Sequence, residues 1–426
     1  MDHTAEGDLL FISNGHGEDL NGSLICTALQ RLAPQLRLAA LPIVGAGRAY
    51  HRCGVPVLVQ GRDLPSGGMV YQGWNLWRDL ASGWLPQTLV QIRAARRQGR
   101  RFRLVLSVGD HVPLLFAWLT GLPTVVFLVS TSSYYEGRLR LSPISRWLCR
   151  RSAVRLVLTR DAFTARDLQA QGLAKARFLG YPIMDALEPS TEPVEPVAAS
   201  LVASASGPTS AAVELSPATV PVPIALLPGS RFPEAQANLA LMLQLCERLV
   251  QQAPQRTWQF EAAVVPGTDG PVLQQQLAAL GWQHQGDGWL ASRPNAAVRV
   301  HLRSDAFAAI LRRAQLVVGM AGTAVEQAVG LGKPVVQLVG RGPQFSHAFA
   351  EAQMRLLGEA VFTVGERPAG TRELDAACSL ILTLLADPDL PQICHQCGVE
   401  RVGAPGGSAA IAAALLSALN PAAVSG

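Results

Sequence analysis

Two glycine-bearing stretches in the second half of the chain decide the fold: Leu226-Leu-Pro-Gly-Ser-Arg231, and Val317-Val-Gly-Met-Ala-Gly-Thr-Ala-Val-Glu-Gln-Ala-Val-Gly-Leu-Gly-Lys-Pro-Val-Val336. Each is an apolar run, a tight glycine turn and then a helical pattern, which is the order of strand, loop and helix in a βαβ unit. Such turns expose backbone N–H groups at the positive end of a helix, where a diphosphate binds favourably.

The side chains of these turns predict contacts to a nucleotide. Arg231 can add a charge-assisted contact to a phosphate, and Thr323 stands where it can cap the helix and meet a phosphate. Glu326, one turn further in, can accept both hydroxyls of a ribose. The alternatives are an ordinary turn with Arg231 on the surface, and a glycine-rich packing contact with a solvated Glu326.

Outward from these turns, apolar runs alternate with amphipathic runs in both halves of the chain, which predicts mainly parallel sheets. In the second half we predict strands at 223–227, 258–265, 298–302, 316–319 and 334–339, and helices at 234–252, 273–280, 306–314, 323–330 and 408–419. In the first half we predict strands at 8–13, 36–44, 55–60, 103–108, 124–129 and 155–159, and helices at 20–32, 112–119 and 162–171.

Composition fits two domains. The chain has 426 residues, of which 49% are hydrophobic and 16% charged, and this excludes a wholly disordered or coiled-coil protein. We predict a Rossmann-like domain over 1–187, a Pro/Ser/Ala-rich disordered linker over 188–222 and a second Rossmann-like domain over 223–404. A C-terminal helix over 405–426 is expected to pack back on the first domain. The fold class is α/β, with two doubly wound domains facing a cleft.

Charge and cysteine content narrow the function classes. The first 187 residues hold 22 Lys/Arg against 12 Asp/Glu, which suits an anionic membrane or substrate; without a zinc finger or basic zipper, nucleic acid is not expected as a partner. The 7 cysteines are scattered and odd in number, which favours a reducing compartment over a disulfide scaffold. From the sequence we expect neither a signal peptide nor a bilayer span.

The motifs resemble a known family. LLPGSRxxE followed by AGTAxEQAxxLGKPVV is similar to the donor half of lipid-A-disaccharide synthase, and more broadly to the two-Rossmann (GT-B) glycosyltransferases. Ser13 to Gly22, Leu179 to Asp185 and Glu400 to Ser408 resemble further segments of the same synthase. The NGHGED segment resembles the opening of a related group of proteins from cyanobacteria and chloroplasts.

The resemblance implies a transferase that takes a sugar from a nucleotide, with UDP favoured, and no metal or other cofactor. The implied donor-binding set is Gly229, Ser230, Arg231, Gly322, Thr323, Glu326, Gln327 and Gln344. Gln344, after the last predicted strand, would reach the hydroxyls of the donor sugar.

The first half offers candidates for a general base. Asp110 matches the position of the family's catalytic carboxylate, and His16 has an intrinsic pKa suited to neutral pH. Both follow predicted strands, and they can act as a pair with His16 as the base and Asp110 orienting it. Asn14, Gly15 and Gly17 would complete an acceptor loop. The alternative for His16 is a loop residue bonded to backbone.

A tryptophan-rich stretch precedes a basic run. Tryptophan beside arginine is typical of the interface of an anionic membrane, whereas the alternative is core tryptophans and a solvated helix end. The predicted membrane contacts are Trp74, Trp77, Trp84, Arg96 and Arg97.

The leading hypothesis is therefore a glycosyltransferase acting on a lipid or amphiphilic acceptor at the cytosolic face of the inner or thylakoid membrane, as a peripheral protein. One alternative is an epimerase or hydrolase of UDP-N-acetylglucosamine, and another is a degenerate transferase that only senses nucleotide sugar. The lone Cys394-His-Gln-Cys397 motif lacks two further ligands at zinc spacing, so no metal site is expected there.

Overall fold

The computed structural model of the protein describes residues 7–60, 84–98, 101–187, 221–268, 270–293, 295, 298–342 and 345–420. The chain divides into two units, of which the first contains Met1–Ala186 and Val402–Gly426 and the second contains Leu187–Arg401. Each unit is built on its own sheet of mainly parallel strands.

The sheet of the first unit consists of short apolar strands. They are β1 (Leu9–Ser13), β2 (Leu38–Pro42), β3 (Leu104–Gly109), β4 (Thr124–Leu128), β5 (Val154–Thr159) and β6 (Ala176–Arg177). The strand order is β2-β1-β3-β4-β5-β6, and every neighbouring pair is parallel. All residues of β1 to β4 are buried, as expected for parallel strands with helices on both faces.

Helices join these strands in the βαβ order that the sequence predicts. They are α1 (His16–Leu32), α2 (Arg48–Arg52), α3 (Trp84–Arg97), α4 (His111–Thr120), α5 (Pro143–Arg150) and α6 (Ala162–Ala170). Helix α4 shows how local sequence sets the bounds. Asp110 accepts a hydrogen bond from the Val112 N–H at its start, and Gly121, with φ of 72°, ends it in the left-handed conformation.

The second unit repeats this architecture with an antiparallel hairpin added at one edge. Its strands are β7 (Val222–Leu227), β8 (Trp258–Ala263), β9 (Trp282–His284), β10 (Trp289–Ser292), β11 (Arg299–Arg303), β12 (Leu316–Gly319), β13 (Val335–Leu338) and β14 (Val361–Val364). The order is β14-β13-β12-β7-β8-β11-β10-β9. Strands β9, β10 and β11 pair antiparallel, and the other neighbours pair parallel.

The helices of the second unit cover both faces of its sheet. They are α7 (Glu234–Gln252), α8 (Pro271–Ala279), α9 (Phe307–Arg313), α10 (Thr323–Gly330), α11 (His347–Leu357), α12 (Thr371–Ala386) and α13 (Leu390–Arg401). The long apolar face of α7 is buried, including Leu239, Met242 and Leu243, and this burial supplies most of the driving force for its packing.

The last helix, α14 (Gly407–Leu419), belongs to the first unit and packs against α1. Its start is fixed by Asp185, whose carboxylate accepts hydrogen bonds from the N–H groups of Gly406 and of Ser408, the latter at 2.7 Å. Gly180 and Gly407 pack backbone to backbone, so that a Cβ on Gly180 would lie 2.6 Å from the Gly407 Cα. Two motifs far apart in sequence thus form one helix cap.

The predicted fold class is confirmed, because both units are doubly wound α/β sheets. Two predictions of secondary-structure elements are wrong. The segment 55–60 is not a strand, since only Val57 bridges to Ala40, and Pro56 has no N–H to extend a ladder. The helix predicted over 20–32 starts too late, because α1 begins at His16 rather than at Leu20. The 188–220 part of the predicted linker lies outside the described residues.

Candidate functional site

Each sheet has a point at which the chain changes the side on which it adds strands. In the second unit the chain runs from β7 to β8 and β11 on one side, and then returns to add β12 on the other side of β7. Doubly wound sheets bind ligands at such a point, in the crevice at the carboxyl ends of its two strands. Residues 228–233 leave β7 and residues 320–322 leave β12, so both predicted glycine turns lie at this switch point.

These two loops are in contact through a glycine. Gly229 has a φ of 99°, and a Cβ at this position would lie 3.0 Å from the carbonyl oxygen of Met320. The first loop is further held by Asn238, whose side-chain N–H donates to the Pro228 carbonyl at 3.0 Å. A side chain at residue 229 would therefore strain the backbone and push the two loops apart.

The polar side chains of the first loop lie at the start of α7. Ser230 is exposed and Arg231 is half-buried. The Arg231 carbonyl accepts from the Ala235 N–H at 2.9 Å, which fixes the turn against the helix. The predicted contact of Arg231 with a phosphate would thus be made from a turn with a fixed backbone.

The residues of the second loop lie at the start of α10. Gly322 is the N-cap and Thr323 the first helical residue, so the prediction that Thr323 caps this helix is wrong: the turn closes one residue earlier, at a glycine. Glu326 is 9% exposed and Gln327 4% exposed, so Glu326 is not the solvated carboxylate of the alternative interpretation. Gln344 lies outside the described residues.

The first unit has an equivalent switch point between β1 and β3, which flank it in the strand order. Three loops meet there. A Cβ on Gly109, the last residue of β3, would lie 3.3 Å from the Glu18 Cγ and 3.6 Å from the Asn14 Cβ. Glu18 accepts a hydrogen bond of 2.6 Å from the Ser130 hydroxyl, which follows β4.

The candidate acid–base residues lie at this edge. One Asp110 carboxylate oxygen caps α4, and the other lies 3.7 Å from the His111 Nδ1. His16 is the first residue of α1, and its side chain lies outside the described part. Gly15 is the extended N-cap of α1, and Gly17 lies in its first turn. The structure thus brings the loops of Asn14 and Asp110 to one edge of the first sheet.

Asp19 is a buried acid that sequence reasoning missed. It is not among the residues that the sequence analysis singles out, and it is only 2% exposed. Asp19 Oδ1 accepts a 2.5 Å hydrogen bond from the Ser13 hydroxyl, which accepts one of 3.0 Å from the Tyr50 hydroxyl. Burial raises the pKa of Asp19 to about 7, against a smaller lowering by the Ser13 bond. Only the polar Ser13 within an apolar strand hinted at this cluster.

The predicted membrane contacts are only partly described. Arg96 and Arg97 are exposed in the last turn of α3. Trp84 begins α3 with its side chain outside the described part, and Trp74 and Trp77 lie in the undescribed segment 61–83. Within the described residues, no helix combines the length and apolar character that a membrane crossing requires.

The Cys394-x-x-Cys397 motif lies inside α13 and is used for packing. Both cysteines are buried, and the Cys397 thiol donates to the Leu357 carbonyl at 2.7 Å. Burial raises the pKa of Cys394 to about 12, so the thiolate that binds metal is disfavoured. Among the described residues, no group of three or more His, Cys, Asp or Glu is arranged to hold a metal ion.

No family model and no curated protein matches the chain. Solved structures do match. The calicheamicin glycosyltransferase CalG4 is 14% identical with a TM-score of 0.58, over 98% of this chain and 100% of that chain. A putative UDP-N-acetylglucosamine 2-epimerase from Listeria monocytogenes is 16% identical with a TM-score of 0.56, over 97% of each chain. The spinosyn rhamnosyltransferase SpnG, solved with thymidine diphosphate, is 17% identical with a TM-score of 0.54, over 96% and 99%. These likenesses identify the fold as the two-domain GT-B fold.

Proposed function

We propose that the protein binds a nucleotide sugar, with UDP as the favoured nucleotide, and transfers the sugar to a lipid or amphiphilic acceptor. One observation carries the donor half of this proposal: the two glycine loops leave the strands at the switch point of the second sheet and touch through Gly229 and Met320. A diphosphate at such a crevice receives backbone N–H donors from two directions.

Each donor residue has a role in this proposal. The N–H groups of the Gly229-Ser230 turn and of the first turn of α10 hold the diphosphate, and Arg231 adds a positive charge. Together they stabilise the negative charge that develops on the leaving nucleotide. Glu326, nearly buried one turn into α10, accepts the ribose hydroxyls.

The acceptor half rests on the first unit. An acceptor hydroxyl needs a general base at the carboxyl edge of a sheet, and Asp110 and the backbone of His16 lie at that edge, after β3 and β1. Asp110 is half-buried and its carboxylate is fixed by the Val112 N–H, which orients it as a base. In this proposal Asp110 or His16 takes the proton from the acceptor hydroxyl.

A lipid acceptor at the cytosolic face of a membrane is favoured by the motifs that resemble lipid-A-disaccharide synthase, and by the basic character of the first 187 residues. Exposed Arg96 and Arg97 suit anionic lipid headgroups.

Other solved structures of this fold include a co-structure of Staphylococcus aureus MnaA with UDP and a Neisseria meningitidis epimerase with UDP-N-acetylglucosamine. They favour UDP as the nucleotide, and they also make epimerisation of UDP-N-acetylglucosamine the competing activity.

Calorimetric titration tests the donor site. We expect UDP to bind more tightly than GDP, dTDP or ADP. Arg231→Ala and Glu326→Ala should each weaken binding of UDP about tenfold or more, because each removes a charged contact. Arg256→Ala is the matched control, because Arg256 is also half-buried but precedes β8 at the opposite edge of the sheet. Equal binding by all variants would refute the assigned site.

A labelled-product assay separates the activities. The protein is incubated with radiolabelled UDP-N-acetylglucosamine and a total lipid extract. Label in the organic phase supports transfer to a lipid, whereas label found in UDP-N-acetylmannosamine or in free sugar supports the epimerase or hydrolase alternative. Binding of UDP without any product supports a sensor.

A further inference from the structure

A chain of three polar side chains crosses the interior of the second unit and ends at the proposed diphosphate loop. The Thr363 hydroxyl on β14 donates to the Gln337 Oε1 on β13 at 3.0 Å, and the Gln337 Nε2 donates to the Gln353 Oε1 on α11 at 2.5 Å. Gln353 Nε2 then donates to the carbonyl of Gly322 at 3.1 Å. Every donor in the chain points towards Gly322.

These groups are costly to bury, which makes their arrangement informative. Gln337 is fully buried in an otherwise apolar strand, and Gln353 is 4% exposed. A buried amide without partners costs free energy, but here each amide both donates and accepts within the chain. Two apolar side chains of similar size would fill the same space, so packing alone does not account for two glutamines.

The chain fixes the position of the first turn of α10. The Gly322 carbonyl also accepts from the Val325 and Glu326 N–H groups, at 3.0 and 3.3 Å, as the N-cap of this helix. Gln353 adds a bond from outside the helix, and it ties that carbonyl to α11 and to two strands of the sheet. Because the peptide between Gly322 and Thr323 is planar, holding its carbonyl also sets the direction of the Thr323 N–H.

We propose that Gln353, supported by Gln337 and Thr363, is a positioning residue for nucleotide binding: it holds the start of α10 so that the Thr323 and Ala324 N–H groups face the diphosphate. This inference rests on the proposed function. Neither N–H has an acceptor inside the helix, since the first turn of a helix leaves its leading donors without one. A small rotation of this turn would misdirect both donors.

Two variants separate positioning from stability. Gln353→Leu removes the donor to Gly322 and leaves the Gln337 amide without its acceptor. We therefore expect a lower melting temperature. We also expect a dissociation constant for UDP about tenfold higher, equivalent to about 1.4 kcal/mol. In Gln337→Leu/Gln353→Leu both amides are replaced, which restores much of the stability because no buried amide is left unpaired. We expect its UDP dissociation constant to stay about tenfold high.

Gln91→Leu is the matched control. Gln91 is a 1% exposed glutamine of the first unit that donates to the carbonyls of Pro42 and Ile43 at 3.1 and 2.8 Å. Its loss should lower the melting temperature while the dissociation constant for UDP stays within about twofold of wild type. Calorimetric titration with UDP and a thermal melt are run on wild type and on the three variants.

The outcomes are distinguishable. If wild type does not bind UDP, the proposed function fails. If wild type binds UDP but Gln353→Leu and the double variant bind it no more weakly than Gln91→Leu, the positioning role is refuted while the donor site stands. Weak binding by both Gln353 variants beside normal binding by Gln91→Leu supports the role.

Discussion

Replacing Asp19 by asparagine should make the protein more stable at neutral pH. Asp19 is buried, one carboxylate oxygen accepts from Ser13, and the other, Oδ2, is buried without a hydrogen-bond partner. Burial raises the pKa of Asp19 from its ordinary 3.8 to about 7. An acid whose pKa is higher in the folded state binds its proton preferentially there. The stabilisation from this preferential proton binding is therefore fully present below pH 3.8 and is lost as pH rises to about 7. Above that pH the free energy of unfolding no longer changes with the titration of Asp19.

The magnitude follows from the size of the pKa change. At about 1.4 kcal/mol for each pH unit, a pKa raised from 3.8 to about 7 costs about 4 kcal/mol of folding free energy above pH 7. The asparagine side chain of the variant retains the acceptor for Ser13 but places an amide N–H₂ where Oδ2 lacks a partner, at a cost of about 1–3 kcal/mol. The variant should therefore gain on the order of 1–3 kcal/mol over wild type at pH 8.

Urea unfolding at pH 5, 6, 7 and 8 measures this difference. We expect the free energy of unfolding of Asp19→Asn to rise relative to wild type by about 1.4 kcal/mol per pH unit up to pH 7. Asp167→Asn is the control. Although burial raises its pKa, hydrogen bonds from Ser133 and the Leu139 N–H bring the pKa of Asp167 below its ordinary value, so its difference from wild type should be flat over this range. A flat difference for Asp19→Asn as well would refute the buried-acid account.

Three further substitutions test other parts of the structure. Gly229→Ala should lower the melting temperature and weaken UDP binding at least tenfold, because its Cβ would lie 3.0 Å from the Met320 carbonyl at a positive φ; unchanged titration would contradict the loop contact. Asp185→Ala should cost about 1–2 kcal/mol in urea unfolding by removing the cap of α14, and an unchanged midpoint would contradict it. Asp110→Asn keeps the acceptor for the α4 N–H, so its melting temperature should hold while sugar transfer falls by about 10²–10⁴; full activity would exclude Asp110 as the base.

The fold was predictable because its determinants are local. Buried parallel strands appear as short continuous apolar runs, and glycine turns separate them from helices, so β1, β3, β7 and β12 were located to within about two residues. The start of α1 was not predictable in the same way. Gly17 argues against a helix by propensity, and the helix nevertheless begins at His16, with Gly15 as its N-cap.

The candidate site was predictable only where a local pattern carries it. The turns at Gly229 and Gly322 are visible as sequence because glycine, strand and helix lie next to each other. The burial of Asp19 is not, because it depends on Tyr50, which comes from a later segment of the chain. The link from Gln337 to Gln353 spans 16 residues and two kinds of element, and a glutamine alone in a sequence is typical of a surface.

Hydrogen–deuterium exchange with and without UDP tests the central claim most directly, because it locates the ligand on the chain. We predict that UDP slows exchange of the backbone amides of residues 229–235 and 322–327, the two loops at the switch point of the second sheet, and leaves residues 14–22 and 109–112 unchanged. No slowing anywhere, or slowing confined to the first unit, would contradict the proposed donor site.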